Sequence, residues 1–564
     1  MSVITATFTT AGGSVSAWSA QTPPVFDPAW IVAGGAIPAA PTTLWHVSPT
    51  GTPSPGIANG SRAAPYSAAQ MFMGVLGQPY ALISTMPAYF SNALGAHIAG
   101  GSASSPVKPG HGIVLIADPV TGNAAFGNLL LQAQFGTVTA PGLNNGTNFI
   151  WVMQDPDVTL ATFTLIAGAG WIFHGLDFVS DQADMPQADR VFDQMVLGGP
   201  LLNIIVANCS FQSRTPFSNL TAAEAIASGP VYGINLEANY GATPAVVTQY
   251  VTFANNTFFH VQNGICFAGS QVNGGPNALN HVRACYNECS QHLFDGIDWN
   301  ACFLEIDHNY IHDRLNGGVS YHPDFLQGQP WNSSHTTVGW MNEINIHHNV
   351  GVLITVPGLI WESSSSANVS QGMDYWNGSP TNVTFANNLV LTSINGIALY
   401  GGTGLVVENN TVLNLGLYPA TNPAITIYLQ SSSEVPTGGN SAPQNITVNN
   451  NLGNQITIAD AAINWTASGN VVIQSGVPAS TMAARIDYAV TVGGATKDDW
   501  VVGTPNPIGT VSALTPAQVF TKWDPVNFVF DTTPVAGLPP YIAPGLGAPP
   551  WSNTAPRSAN WPFK

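Results

Sequence analysis

Nine short segments between residues 171 and 454 share one pattern. Two or three apolar residues alternate with polar ones, a short link ends in a polar residue that is usually Asn, and a second apolar run follows. YVTFANNTFF, LEIDHNYIH, NVTFANNLVL and LVVENNTVL are examples. The shared polar position reads as Asp177, Asn208, Asn256, Asn287, Asn309, Asn349, Asn388, Asn410 and Asn451. The two shortest intervals, Asn287 to Asn309 and Asn388 to Asn410, are both 22 residues, which marks 22 as the bare unit and the longer intervals as units carrying inserted loops.

A second motif follows most copies: GINLE, GICFA, GIDWN, GVSYH, GLIWE, GIALY and, displaced by an insertion, AITIY. Each unit therefore holds at least two short strands of period-two patterning joined by polar turns. Units this short cannot bury an apolar face alone and must stack on one another. The pattern predicts an all-β chain coiled as a single-stranded parallel β-helix of about ten or more rungs, with extended non-helical termini. Asn suits the bend because it tolerates left-handed backbone angles, and stacked Asn side chains can bond along a ladder. A sandwich or propeller with Asn-rich turns does not account for nine matched positions with paired second strands.

The pattern resembles the right-handed parallel β-helix superfamily, which includes pectate-lyase-like enzymes, glycoside hydrolases, polysaccharide epimerases and phage tailspikes. LWHVSPTGTPSPGIANGSRAAPYSAAQMF (residues 44–72) is similar to the entry sequence of many members, and HPDFLQ (His322–Gln327) resembles a short element found on their exposed strand face. The resemblance runs over roughly residues 44–475. It implies a right-handed coil and polysaccharide as the partner, while the fold itself hosts many chemistries. Residues 1–43 then form an attachment or capping segment, and residues 476–564 a capping region with a Pro-rich extended tail. Trimeric assembly, as in tailspikes, is one way to cover the open ends.

Composition narrows the partners. The chain of 564 residues is 7% charged with a formal net charge of −18, which disfavours nucleic acid and anionic membranes. No run of apolar residues is long enough to insert in a membrane. The N-terminal stretch lacks the pattern of a secretory signal, so the expected location is extracellular, either secreted after signal removal or associated with a virion released by lysis. The five cysteines, an odd number, read as buried thiols rather than a disulfide framework or zinc site.

The scarce charge is concentrated. Residues 281–374 hold eight of the thirteen histidines and ten of the 29 acids, including Glu288, Asp295, Asp298, Glu343 and Asp374. Strand alternation assigns Ile234, Ile265, Ile297, Val319, Leu359 and Ile397 to the core, and their neighbours to an outward strip. On that strip Asp298, Asp324, Glu362 and His322 are the candidate catalytic residues, with His322 and Glu362 expected on adjacent rungs. Asn300, Arg314, Tyr400, Tyr428 and Glu237 are the candidate substrate-binding residues. Glu305 and Asp307 are expected outward on a different face, with His308 and Asn309 in the turn and His312 and Asp313 after it.

Three functions remain open. Paired carboxylates suit a glycoside hydrolase or depolymerase acting on an extracellular or cell-surface polysaccharide. A polysaccharide lyase would use His322, Tyr400 and Arg314, since the four lysines lie outside the central rungs. A glycan-binding adhesin or structural virion protein needs no chemistry. No cofactor is required. Calcium is available to the acid–histidine cluster or to Asp181, Asp184 and Asp189.

Overall fold

The computed structural model describes residues 40–51, 59–71, 110–132, 149–185, 192–217, 220–238, 248–269, 277–315, 323–328, 341–353, 372–375, 379–392, 395–414, 424–429, 441–459, 461–473, 509–512, 514–524 and 529–535, together with a few two-residue strands near the N-terminus. His322, Glu362 and Asp189 lie outside the described residues, as does the Pro-rich tail. The chain forms two compact units. One comprises residues 1–273 and 278–287, the other residues 274–277 and 288–564.

In the first unit three faces of parallel strands recur coil after coil. The first face stacks Thr43–Ser48, His111–Leu115, Ile150–Gln154, the end of Thr159–His174, the end of Asp193–Ala207, Thr248–Ala254 and Leu279–Cys285, all parallel. Ile113, Val152, Phe173, Val206 and Phe253 follow one another in register and are buried. The second face stacks Phe178, Phe211 and Phe258 with centroids 4.7 and 5.0 Å apart and near-parallel rings. On the third face Ile234 pairs with Ile265 and Leu236 with Phe267, all buried as the alternation predicts. This is a parallel β-helix, in which alternate side chains fill the coil and stack on their equivalents.

The second unit repeats the plan. Its first face runs through Cys302–Asp307, Asn342–His347, Thr381–Ala386, Thr403–Glu408, Gln444–Asn449 and Ile463–Ser468. Its second face begins with Glu288–Ser290, Tyr310–His312 and Val350–Val352 and continues to Asn470–Ile473, on which Gly509–Ser512 adds a further parallel strand. Phe520–Asp524 and Val529–Pro534 then form an antiparallel hairpin.

The Asn positions register the coils. In the second unit Asn309, Asn349, Asn388, Asn410, Asn451 and Asn470 form a buried ladder, each donating from Nδ2 to the Oδ1 of the next at 2.9–3.1 Å. The same Oδ1 accepts the backbone N–H of the preceding Asn. Nδ2 also reaches a backbone carbonyl of the coil before, as Asn388 does to Ile346 at 2.9 Å. The final link spans 19 residues, shorter than the 22-residue unit read from the sequence.

The left-handed residue of the bend is not the ladder Asn but the residue before it: His308, His348, Asn387, Asn409 and Asn450 all have φ of 54–57°. In the first unit the ladder positions above Asn256 belong to Cys209, whose amide bonds Asn256 Oδ1, and to Leu176. The expected markers Asn208 and Asp177 stand one residue before and one after those positions. Neither ladder position carries a polar side chain there, so the nearest polar residue took its place in the sequence pattern. All five cysteines are buried and none forms a disulfide, and burial pushes the Cys209 thiol up to about 12.

Removing one ladder side chain leaves several buried donors unsatisfied at once. Asn388→Ala is expected to cost about 3 kcal/mol in urea unfolding, whereas Asn387→Gly, at a left-handed position, stays within about 0.5 kcal/mol.

Candidate active site

The third face of the second unit stacks Ile297–Trp299, Leu326–Gly328, Met373–Tyr375, Ile397–Tyr400, Ile425–Tyr428 and Ile456–Ile458. This corrects the expected register. Leu326 and Met373 stand where Val319 and Leu359 were expected, and Gly328 and Tyr375 where Tyr321 and Trp361 were expected. His322 and Glu362, the pair expected on adjacent rungs, lie outside the described residues. The cause of the shifted register is steric. A Cβ on Gly328 would lie 2.2 Å from the ring of buried Trp299, so the coil after the Trp needs a glycine, and the apolar signature of that strand disappears.

Between the core positions, Asp298 pairs in register with Gln327 and Gln327 with Asp374. These three side chains alternate with Ile297 and Trp299 and their equivalents, so they leave the opposite side of the sheet, with rungs about 4.8 Å apart. Ala398, Thr426 and Thr457 continue the stripe. Two residues along the same strands, Tyr400 and Tyr428 stack with centroids 4.6 Å apart and planes 17° from parallel, half-buried.

The turns that lead into these strands add two more acids. The Asp324 amide donates to Asp295 Oδ1 at 2.6 Å, and Gln327 Nε2 donates to Asp324 Oδ2 at 2.6 Å. The second bond joins the Asp and Gln of the HPDFLQ element. Asp298, 2% exposed, has its carboxyl pushed well above the usual carboxylate range. Burial is the main cause, followed by the charge of Asp295, a hydrogen bond with it, and the charge of Asp324. Burial and the neighbouring acids thus act together to favour the protonated form of Asp298. Arg314 is buried, and its Nη1 donates to the Pro323 carbonyl next to Asp324.

Beside this group lies a second buried one. His312 meets Asp313 Oδ2 through Nδ1 at 2.7 Å and Glu288 Oε1 through Nε2 at 3.2 Å. Burial acts to lower its pKa, but the two carboxylates outweigh it and the imidazole is raised above its ordinary value. His292 is wholly buried, and neither of its ring nitrogens has a hydrogen-bond partner among the described residues.

The strip expected to be exposed is open only in part. Asp298, Asp324 and Asn300 are buried, and Asn277 Nδ2 donates to Asn300 Oδ1 at 2.9 Å, which fixes Asn300 in the turn after Trp299. Glu237 lies in the first unit, where Asn235 Nδ2 donates both to Glu237 and to Asp193. Asp181 accepts from Ser213 and Thr215, and Asp184 accepts the Asp181 amide and pairs with Arg214, so both are engaged with protein donors. Sequence reading missed Asp374 and Gln327 as members of the stripe. The signal for Asp374 was the match of GMDY (Gly372–Tyr375) to GIDW (Gly296–Trp299).

No protein-family model matches the chain, and no curated protein matches it. The solved structures similar to the chain include a tailspike and an epimerase. The Dettilon tailspike protein is 12% identical, with 77% of this chain and 67% of that one covered and a TM-score of 0.31. A double mutant of the periplasmic alginate epimerase AlgG is 10% identical, with 72% of this chain and 74% of that one covered and a TM-score of 0.29.

A raised carboxyl has a defined signature. Its stabilising contribution is complete below the ordinary carboxylate range and is lost as pH rises toward the folded-state value. Asp298→Asn is expected to match the parent near pH 4 and to be the more stable of the two near pH 8, read from urea unfolding at the two pH values.

Proposed function

We propose that the chain is a polysaccharide-active β-helix protein, extracellular or virion-associated, that hydrolyses glycosidic bonds at the third face of its second unit. One observation carries this reading: Asp298, in surroundings that favour its protonated form, stands in register, two rungs away, with a second acid, Asp374, on the side of the sheet that also presents the Tyr400–Tyr428 stack. Hydrolysis needs a proton donor for the leaving oxygen and a carboxylate to activate water. Asp298 is the donor, with Asp295 and Asp324 setting its protonation. Asp374 is the base. Two rungs separate their backbones by roughly 10 Å, and carboxyl groups roughly 6.5–9.5 Å apart leave room for a water in a single displacement. The tyrosine pair offers a flat apolar shelf for a sugar ring about 8 Å from Asp374, by one rung and two residues of strand.

A second reading is a glycan-binding protein without turnover. It is favoured by the burial of Asp298 and Asp374, at 2% and 1% exposure, beside tyrosines that solvent reaches.

Incubation with a panel of bacterial and algal polysaccharides, read by reducing ends and by the ultraviolet absorbance of unsaturated uronates, separates the readings. Reducing ends alone are expected, and unsaturated ends would assign a lyase instead. Asp298→Asn and Asp374→Asn should each lower kcat at least about 100-fold, and Tyr400→Ala should act mainly on KM. Glycan binding with no product, unchanged in both Asp variants, would establish the binding protein.

A further inference from the structure

The acids and histidines of the first face take no part in the proposed chemistry. Asp307 pairs in register with His347, and Glu305 lies two residues before Asp307 on the same strand. Leu304 and Ile306 alternate with them in the core, so Glu305, Asp307 and His347 leave the same outer side of the sheet. One ligand atom from each lies within 4.8 Å of the others. Glu305 Oε1 is 3.0 Å from His347 Nε2.

The surrounding side chains orient these three. His308 Nδ1 sits 2.7 Å from Asp307 Oδ2, and His348 Nδ1 sits 2.8 Å from His347 Nδ1. His308 and His348 occupy consecutive left-handed positions of the bend and stack in parallel with centroids 4.9 Å apart. An imidazole that coordinates a metal through one nitrogen donates its other N–H to an acceptor, which fixes ring orientation and tautomer. His348 Nδ1 is that acceptor for His347, and His308 holds the carboxylate of Asp307 in the same manner. Glu305, His347 and His308 are 26%, 17% and 30% exposed, so the group opens to solvent, while Asp307 forms its buried floor.

We propose that Glu305, Asp307 and Nε2 of His347 form a binding site for a first-row divalent transition ion of the zinc class, joining two successive coils, with water completing the coordination. Two carboxylates and one imidazole suit zinc, manganese or iron, and the imidazole disfavours calcium and magnesium, which prefer oxygen ligands alone. A bound ion takes the place of the direct contact between His347 Nε2 and Glu305 Oε1.

The test uses the full chain, stripped with chelator, and needs no polysaccharide, so its result is independent of the proposed hydrolysis. Calorimetric titration with zinc chloride is expected to show one tight equivalent, with a higher melting temperature that chelator reverses. Cobalt should give a visible absorption band. His347→Ala should weaken zinc binding at least about 100-fold, and Asp307→Asn should weaken it as well. His111→Ala, which alters a half-buried histidine in the first unit, should leave it unchanged. Absence of a tight zinc equivalent, zinc binding that survives His347→Ala, or equal affinity for calcium would each overturn the proposal.

Discussion

Coil-to-coil registration is the constraint on which everything else in this chain depends. A residue at one point of the sequence acquires its working neighbours from the coils before and after it, not from its own surroundings in sequence. The Asn ladder enforces this with two bonds per step, one from a side chain and one from the main chain, both within a buried column where an unmatched donor is costly. A slip of one residue would break every link and turn the core side chains outward together. Stacked rings and β-branched side chains fill the coils but tolerate small displacements. The amide ladder does not.

Registration also explains how so few charges are placed. Within the second unit it sorts them into three groups by face: Asp295, Asp298 and Asp324 on the third, Glu288, His312 and Asp313 on the second, and Glu305, Asp307 and His347 on the first. Each combines groups that would be costly to bury singly. In the first group burial and neighbouring acids favour the protonated carboxyl of Asp298, and in the second two carboxylates favour the protonated imidazole of His312. A chain poor in Lys and Arg has few other means of neutralising buried acids.

The fold was legible because alternation and the recurring Asn are local signals that survive loop insertion. Asp298 and Asp324 were legible as acids of one face but not as neighbours, because the strand beside Ile297–Trp299 was expected at Val319 rather than Leu326. The residue in register with Asp298 two rungs away was misread because the intervening strand, FLQG, is too short and too poor in large side chains to announce itself, its glycine being dictated by Trp299 on the adjacent coil. The pair of Glu288 and His312 was missed. It joins residues 24 apart through the register of Cys289 with Ile311, which the 22-residue interval from Asn287 to Asn309 implies but no strand pattern marks. The left-handed column was off by one for a plainer reason: where Asn–Asn occurs, either residue fits the bend, and only positions such as His308–Asn309 separate the two roles.

The ladder links in the second unit span 19 to 41 residues of chain without change in their geometry. Contour length between rungs is thus decoupled from the architecture of the rungs themselves. Excursions can be lengthened, shortened or exchanged one at a time, and the scaffold would carry each new surface at an unchanged height along its axis. Diversification of such a molecule could proceed through its loops, with the stacked amides acting as a ruler that every descendant inherits.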